Sequence, residues 1–134
     1  MKTSKIIYQG NLRTEATHLK SGNTVITDAP LDNNGKGEGF SPTDLLATSL
    51  GSCMLTIMGI VAERNHIKMD GTEVEITKIM ATNPRRVSEI IVEFKMPANS
   101  YSDKEKQLLE NAAKTCPVAE SLKTDLIQTL IFNY

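Results

Sequence analysis

The chain has 134 residues, 40% of them hydrophobic and 4% aromatic, with 15 Lys plus Arg against 16 Asp plus Glu for a net charge of −1. That length makes one ordinary domain, residues 1–134, able to bury roughly two-thirds of the surface that its unfolded form exposes. The charge balance offers no basic surplus for nucleic acid and no acidic excess of the kind that marks a disordered tail.

The first residues, Met1-Lys2-Thr3-Ser4-Lys5-Ile6-Ile7-Tyr8, lack an apolar signal core and a cleavage site, so the expected location is the cytoplasm. Residues 5–9, 12–19 and 24–27 read as short strands, separated by the turn signals Gly10-Asn11 and Ser21-Gly22-Asn23. That order predicts an antiparallel meander. Residues 29–40, with Asn33-Asn34-Gly35 and then Gly37 and Gly39, are too polar and glycine-rich for regular structure and read as a mobile loop able to act as a lid. Gly35-Lys36-Gly37-Glu38-Gly39 resembles a phosphate loop only superficially, because the Gly-Lys-Ser/Thr ending is missing.

Residues 41–64 read as one long helix with a cysteine at its middle. Ser41 is a good N-cap, Pro42 fits the first helical position, and Asp44 stands where a capping-box acid reaches back. No charge falls between Leu45 and Ala62, which predicts a helix buried nearly all round. The run is near the lower limit for a membrane span, but Thr48, Ser49, Ser52 and Thr56, with Gly51 and Gly59, make it too polar and too rich in small residues for one. The small residues predict a second backbone packed closely against this helix, with Cys53 inside the contact. So short a chain has difficulty covering six apolar turns alone, and a core shared in a homodimer is expected.

After Asn65 the polar and apolar residues alternate over 71–82 and again over 87–96, joined by Asn83-Pro84-Arg85-Arg86, which predicts a hairpin with one wet face. Ser102-Asp103-Lys104-Glu105 is a capping box for a helix through Leu108, Leu109, Ala112 and Ala113. Thr115-Cys116-Pro117 breaks that helix, and Pro117 restarts a short one with Cys116 at its N-cap. Residues 126–132 close the chain as a strand. The fold class is α+β, with segregated elements rather than alternating βαβ units.

Two cysteines 63 positions apart in a reducing compartment are free thiols or a pair that cycles. Only a thiolate is nucleophilic, and Cys53, at mid-helix, needs a cation brought from elsewhere; Arg13, Lys5 and Lys20 of the meander are candidates. Cys116 is better served by its own backbone, where the unpaired N–H groups of a helix start favour a negative sulfur. The plainer alternatives stay open: Cys53 as a small core hydrophobe, Asp44 as a cap only, Arg13 as a surface strand residue. His18 and His66 are far apart and no ligand pair has short spacing, so no metal site is expected.

The run Ser41-Pro42-Thr43-Asp44-Leu45-Leu46 leading to Gly51-Ser52-Cys53, followed by Thr115-Cys116-Pro117-Val118, resembles the OsmC/Ohr family of thiol-dependent hydroperoxide reductases. The resemblance runs from Arg13 to the last strand. It implies an OsmC-like fold: an intertwined homodimer with long central helices wrapped by antiparallel sheets from both chains. It also implies that Cys53 is the peroxidatic and Cys116 the resolving cysteine. Arg13 then corresponds to the arginine that stabilises the thiolate, and Asp44 to the acid, usually glutamate, that orients that arginine. The implied reaction consumes organic hydroperoxides through a sulfenic acid and a disulfide, with no bound cofactor and with an external dithiol, lipoyl in type, as reductant. Phe40, Leu45, Met54 and Ile57 are the expected apolar wall of the substrate pocket. The alternative is a family member that keeps the fold and the thiols as a small-molecule or thiol-binding dimer without rapid turnover. Asp44 and Cys53, nine residues apart on one helix, face opposite sides about 13 Å apart along its axis. Arg13 and Asp44 are therefore expected to complete a site around Cys53 of a second copy.

Overall fold

The computed structural model describes the whole chain, Met1–Tyr134. It falls into two compact units, Met1–Leu46 and Ala47–Tyr134.

The first unit is a three-stranded antiparallel sheet in the order β1 (Ser4–Gly10), β2 (Arg13–His18), β3 (Thr24–Asp28). The β1–β2 turn needs left-handed backbone, and Gly10, Asn11 and Leu12 all take positive φ there. Register places Ile6, Ala16 and Val25 in a row across the sheet and Ile7, Glu15 and Ile26 in the adjacent row. Adjacent rows point to opposite faces, so both faces carry apolar side chains. Ile6, Ile7, Tyr8, Val25 and Ile26 are nonetheless exposed in the single chain, and the buried residues of this unit are polar: Thr27, Asp28 and Ser41.

The segment expected to be irregular contains a 3₁₀ turn at Leu31–Asn33. It is pinned by hydrogen bonds from Gly35 N–H to the Pro30 carbonyl (2.9 Å) and from Gly37 N–H to the Ala29 carbonyl (3.2 Å). A side chain at Gly35 would put its Cβ 1.7 Å from the Ala29 oxygen, so only glycine allows this closure. The segment returns to the sheet where Asp28 N–H donates to the Phe40 carbonyl at 3.0 Å.

Helix α1 (Pro42–Arg64) starts as its sequence demands. The Ser41 hydroxyl accepts from Asp44 N–H and the Asp44 carboxylate accepts from Ser41 N–H, both at 3.0 Å, a reciprocal capping box. The helix is long and apolar enough to cross a membrane. Its burial in the protomer is narrower than the uncharged run predicts, because one stripe, Ala47, Leu50, Gly51, Met54, Met58 and Ala62, faces the core while Ser49, Ser52, Thr56 and Ile60 are exposed.

That stripe belongs to the second unit, whose sheet has the order β4 (Glu73–Ala81), β5 (Arg86–Lys95), β6 (Ile127–Asn133). Leu50, Met54 and Met58 share one core with Ile90, Val92 and Phe94 of β5. Each such side chain, fully removed from water, stabilises the fold by about 1.5–3 kcal/mol. Gly51 permits the close approach: a Cβ there would lie 2.7 Å from Ile76 Cδ1 on β4. The expectation of purely antiparallel sheets is corrected here, since β4 and β5 are antiparallel but β5 and β6 are parallel. Parallel neighbours need a long crossover, and residues 96–126 supply it with α2 (Asp103–Lys114) and α3 (Pro117–Ser121). The Ser102/Glu105 capping box opens α2 as predicted, and Leu109, Ala112 and Ala113 of α2 enter the core. Phe94 and Phe132, paired in register, stack at 4.5 Å.

Candidate active site

The crossover that makes β6 parallel also delivers the second thiol. Cys116 caps α3 with extended backbone (φ −72, ψ 148), and its Sγ accepts from Ala119 N–H at 3.3 Å. Pro117 follows at the first helical position and has no N–H, so the amide that reaches the sulfur is that of Ala119. Cys116 is 0% exposed. Cys53, on the shoulder of α1 between the buried stripe and the exposed face, is half-buried, and both cysteines are free thiols.

Burial pushes the Cys116 thiol up, and the hydrogen bond and charge of Cys53 push it further, against the lowering effect of the Ala119 and Val118 amides. The helix-start amides alone suggest a ready thiolate at Cys116; desolvation outweighs them. Cys116 therefore holds its proton more firmly than an exposed thiol does.

The first unit holds a separate charged cluster. Arg13, at the start of β2, is paired in register with Asp28 at the end of β3. Arg13 Nε and Nη2 donate to the two Asp28 carboxylate oxygens at 2.7 and 2.9 Å, and Nη2 also lies 3.4 Å from a Glu38 oxygen. Glu38 N–H donates to Asp28 at 3.2 Å. The Arg13 hydrogen bonds hold the Asp28 carboxyl below its usual range despite the opposing effect of burial, and Asp28 in turn raises the Arg13 guanidinium.

The sequence reading gave this arginine to Asp44. Asp44 caps α1 on Ser41, and Asp28 is the carboxylate in fork contact with Arg13. Asp28 was missed because an acid at a strand end looks like a turn residue; the three-strand register was the signal, since it sets Arg13 and Asp28 side by side. Lys5 and Lys20, the other proposed cations, are exposed on this unit.

The expected pocket wall divides. Phe40 is 50% exposed at the end of the loop and Leu45 is half-buried in the first turn of α1. In the second unit, Ile57 sits half-buried one turn beyond Cys53. Met54 is 0% exposed, so it belongs to the core beneath the helix and does not line an open pocket. Ile60, 42% exposed and two turns from Cys53 on the same side, is the apolar residue that the sequence reading passed over. His18 bonds Ser21 Oγ through Nδ1 at 2.7 Å, and His66 is exposed in a left-handed turn.

A family model described as OsmC-like protein matches residues 35–129. No curated protein matches the chain. Among solved structures, a Psychrobacter arcticus protein described as an osmotic stress induced and detoxification response protein is 55% identical, with a TM-score of 0.95 over 99% of this chain and 96% of the other. An organic hydroperoxide resistance protein OsmC from Legionella pneumophila superposes with a TM-score of 0.71 at 14% identity, over 100% of this chain and 98% of the other. One from Elizabethkingia anophelis gives 0.71 at 17% identity, over 99% and 96%. At those identities the last two share the fold.

Proposed function

Because the chain belongs to the OsmC-like protein family, we propose that it is a thiol-dependent reductase of organic hydroperoxides working as a homodimer in the cytoplasm. The observation that carries this reading is the pair of free thiols, Cys53 half-buried on the long helix and Cys116 buried at a helix start, with Cys53 among the groups that push the Cys116 thiol up. The Cys53 thiolate attacks the peroxide O–O bond, an alcohol leaves, and the resulting sulfenic acid condenses with Cys116. An external dithiol, lipoyl in type, reduces the disulfide and returns the protein to its free-thiol state. The names of the Psychrobacter, Legionella and Elizabethkingia proteins support this assignment to peroxide detoxification.

The dimer follows from what a single chain leaves uncovered. Ile6, Ile7, Tyr8, Val25 and Ile26 form an apolar sheet with no apolar residue of its unit buried beneath it. A sheet of this kind needs a covering layer. A second copy supplies it, and in that dimer the Arg13–Asp28 pair, with Asp44 nearby in sequence, serves the Cys53 of the other subunit. Arg13 stabilises the thiolate and Asp28 takes the orienting part first given to Asp44. Apolar Ile57 and Ile60, on the same helix as Cys53, favour an alkyl hydroperoxide over hydrogen peroxide.

One observation favours the slower, binding-module reading: Arg13 already shares Nε and Nη2 with two carboxylates. The test is intact mass and free-thiol count of reduced protein after one equivalent of cumene hydroperoxide, beside Cys53→Ser. Loss of both thiols in the unmodified protein, and not in the control, is the expected result. Two intact thiols would sink the peroxidase and leave the binding dimer.

A further inference from the structure

Four residues of α1 stand in one line. At about 100° per residue, Cys53, Ile57, Ile60 and Arg64 project within about 60° of one another, and no other residue between Cys53 and Arg64 falls in that arc. Cys53 and Ile57 are half-buried, Ile60 is 42% exposed and Arg64 is exposed. The line thus runs from a thiol over two apolar side chains to a cation, all within Ala47–Tyr134. The Arg64 side chain has neither a hydrogen-bond nor an ion-pair partner. We propose that Arg64 determines substrate preference: it holds the anionic end of a hydroperoxide whose alkyl chain lies over Ile60 and Ile57, so hydroperoxides bearing a carboxylate react faster than neutral ones. This role rests on the peroxidase reading and goes beyond it, because apolar side chains select an alkyl chain and not the group at its far end.

The spacing sets the length of that chain. Cys53 and Arg64 are separated by about 16 Å along the helix axis. Helical side chains lean toward the N-terminus, so the long arginine reaches back over Ile60 and shortens the interval to the sulfur. With C–C bonds of about 1.5 Å, roughly eight to twelve carbons between peroxide and carboxylate span it. Methylenes laid on Ile57 and Ile60 leave water on that side, and the guanidinium meets both carboxylate oxygens with one planar fork.

A cation in a last helical turn also offsets the helix dipole, but any position of that turn serves this purpose and none is required to share the line of Cys53. Glu63, the acid next to Arg64 in sequence, projects about 100° away round the helix and leaves the guanidinium open. The outward face of Ser52, Thr56 and Gly59 lies about a quarter-turn from the line, so a second copy seated there stands beside it and not on it.

The rate of Cys53 thiol loss, read by quench and intact mass, is compared for linoleic acid 13-hydroperoxide and its methyl ester, with cumene hydroperoxide as a neutral reference. The wild-type protein is expected to consume the acid about fivefold to tenfold faster than the ester at low salt, the worth of one charged hydrogen bond. Salt of about 0.5 M should shrink that ratio. In Arg64→Gln the ratio falls to about one, and Arg64→Lys restores much of it. A residue that only steadied the helix would slow both substrates and leave the ratio alone. A wild-type ratio of one, or the wild-type ratio kept in Arg64→Gln, would overturn the anchor while leaving the peroxidase intact. Thiols that survive all three hydroperoxides overturn both.

Discussion

Asp28 grips Arg13 through two near-parallel hydrogen bonds, 2.7 Å to Nε and 2.9 Å to Nη2, although Asp28 is 2% exposed and Arg13 faces solvent on one side. A planar guanidinium held by both carboxylate oxygens loses its freedom to rotate, so its direction is set by the β2–β3 register and not by side-chain chance. Lysine at position 13 would keep the charge and lose the fork.

Acid should find this pair first. The folded-state value of Asp28 is depressed, chiefly by the Arg13 hydrogen bonds. The unfolded chain then binds the proton more readily, so the contribution is complete above the ordinary carboxylate value of about 3.9 and is lost as pH falls below it. Thermal melts between neutral pH and about pH 2.5 should show wild-type stability falling more steeply than that of Asp28→Asn. Parallel curves for the two proteins would remove Asp28 from the acid response.

Gly51 marks a close approach of α1 to β4. A Cβ there meets Ile76 Cδ1 at 2.7 Å and Val74 Cγ1 at 3.3 Å. The nearer atom is the end of a flexible side chain, so Gly51→Ala, with a helix-propensity gain of up to about 1 kcal/mol, is expected to be near neutral. Gly51→Val adds branches with nowhere to go and should cost about 2 kcal/mol. Urea unfolding of the two variants checks this, and equal midpoints would contradict the close approach.

Local patterns were the legible part of the fold. Caps at Ser41 and Ser102, the alternation of β4 and β5, and Pro117 after Cys116 are all written within a few residues of where they act. The parallel pairing of β6 was not legible, because strand direction depends on where the crossover returns the chain and no residue of 127–133 encodes it. The site divides in the same way. A cysteine at mid-helix and one at a helix start signal themselves, whereas the Arg13–Asp28 pair exists only through register, and an uncharged helix hides that Met54 lies on its buried stripe.

Tyr134 ties the end of the chain to α2. Its hydroxyl donates to Glu110 at 2.6 Å, Lys106 Nζ stands 4.8 Å from its ring centroid, and Tyr101 meets it edge-on at 5.7 Å. Burial, then the Glu110 hydrogen bond and charge, raise its phenol. A raised folded-state value contributes stability that is full below the ordinary phenol value of about 10 and is lost as pH climbs through the folded one. Spectroscopic titration should therefore show one of the three tyrosines ionising late, and Glu110→Gln should bring it earlier. Three tyrosines titrating together in the native protein would refute the assignment.

Gly59 offers the sharpest test of the dimer. Ser49, Ser52, Thr56 and Gly59 follow one another along the outward side of α1, and a Cβ at Gly59 would meet nothing within 4 Å in the single chain. Thr56 directs its hydroxyl back to the Ser52 carbonyl at 2.9 Å, so that donor is satisfied within the helix and can be covered by a partner. In a lone protomer, Gly59→Ala stabilises by about 0.5–1 kcal/mol through helix propensity and lower unfolded-state entropy, and a larger residue is accommodated. If a second α1 crosses here, the outcome reverses. Gly59→Leu then holds the two backbones apart and shifts the dimer toward monomer, which sedimentation velocity at micromolar concentration reads directly. Far-ultraviolet circular dichroism should stay unchanged while the mass falls by half. A dimer that survives Gly59→Leu intact would move the shared surface off this helix and onto the exposed β1–β2–β3 sheet alone.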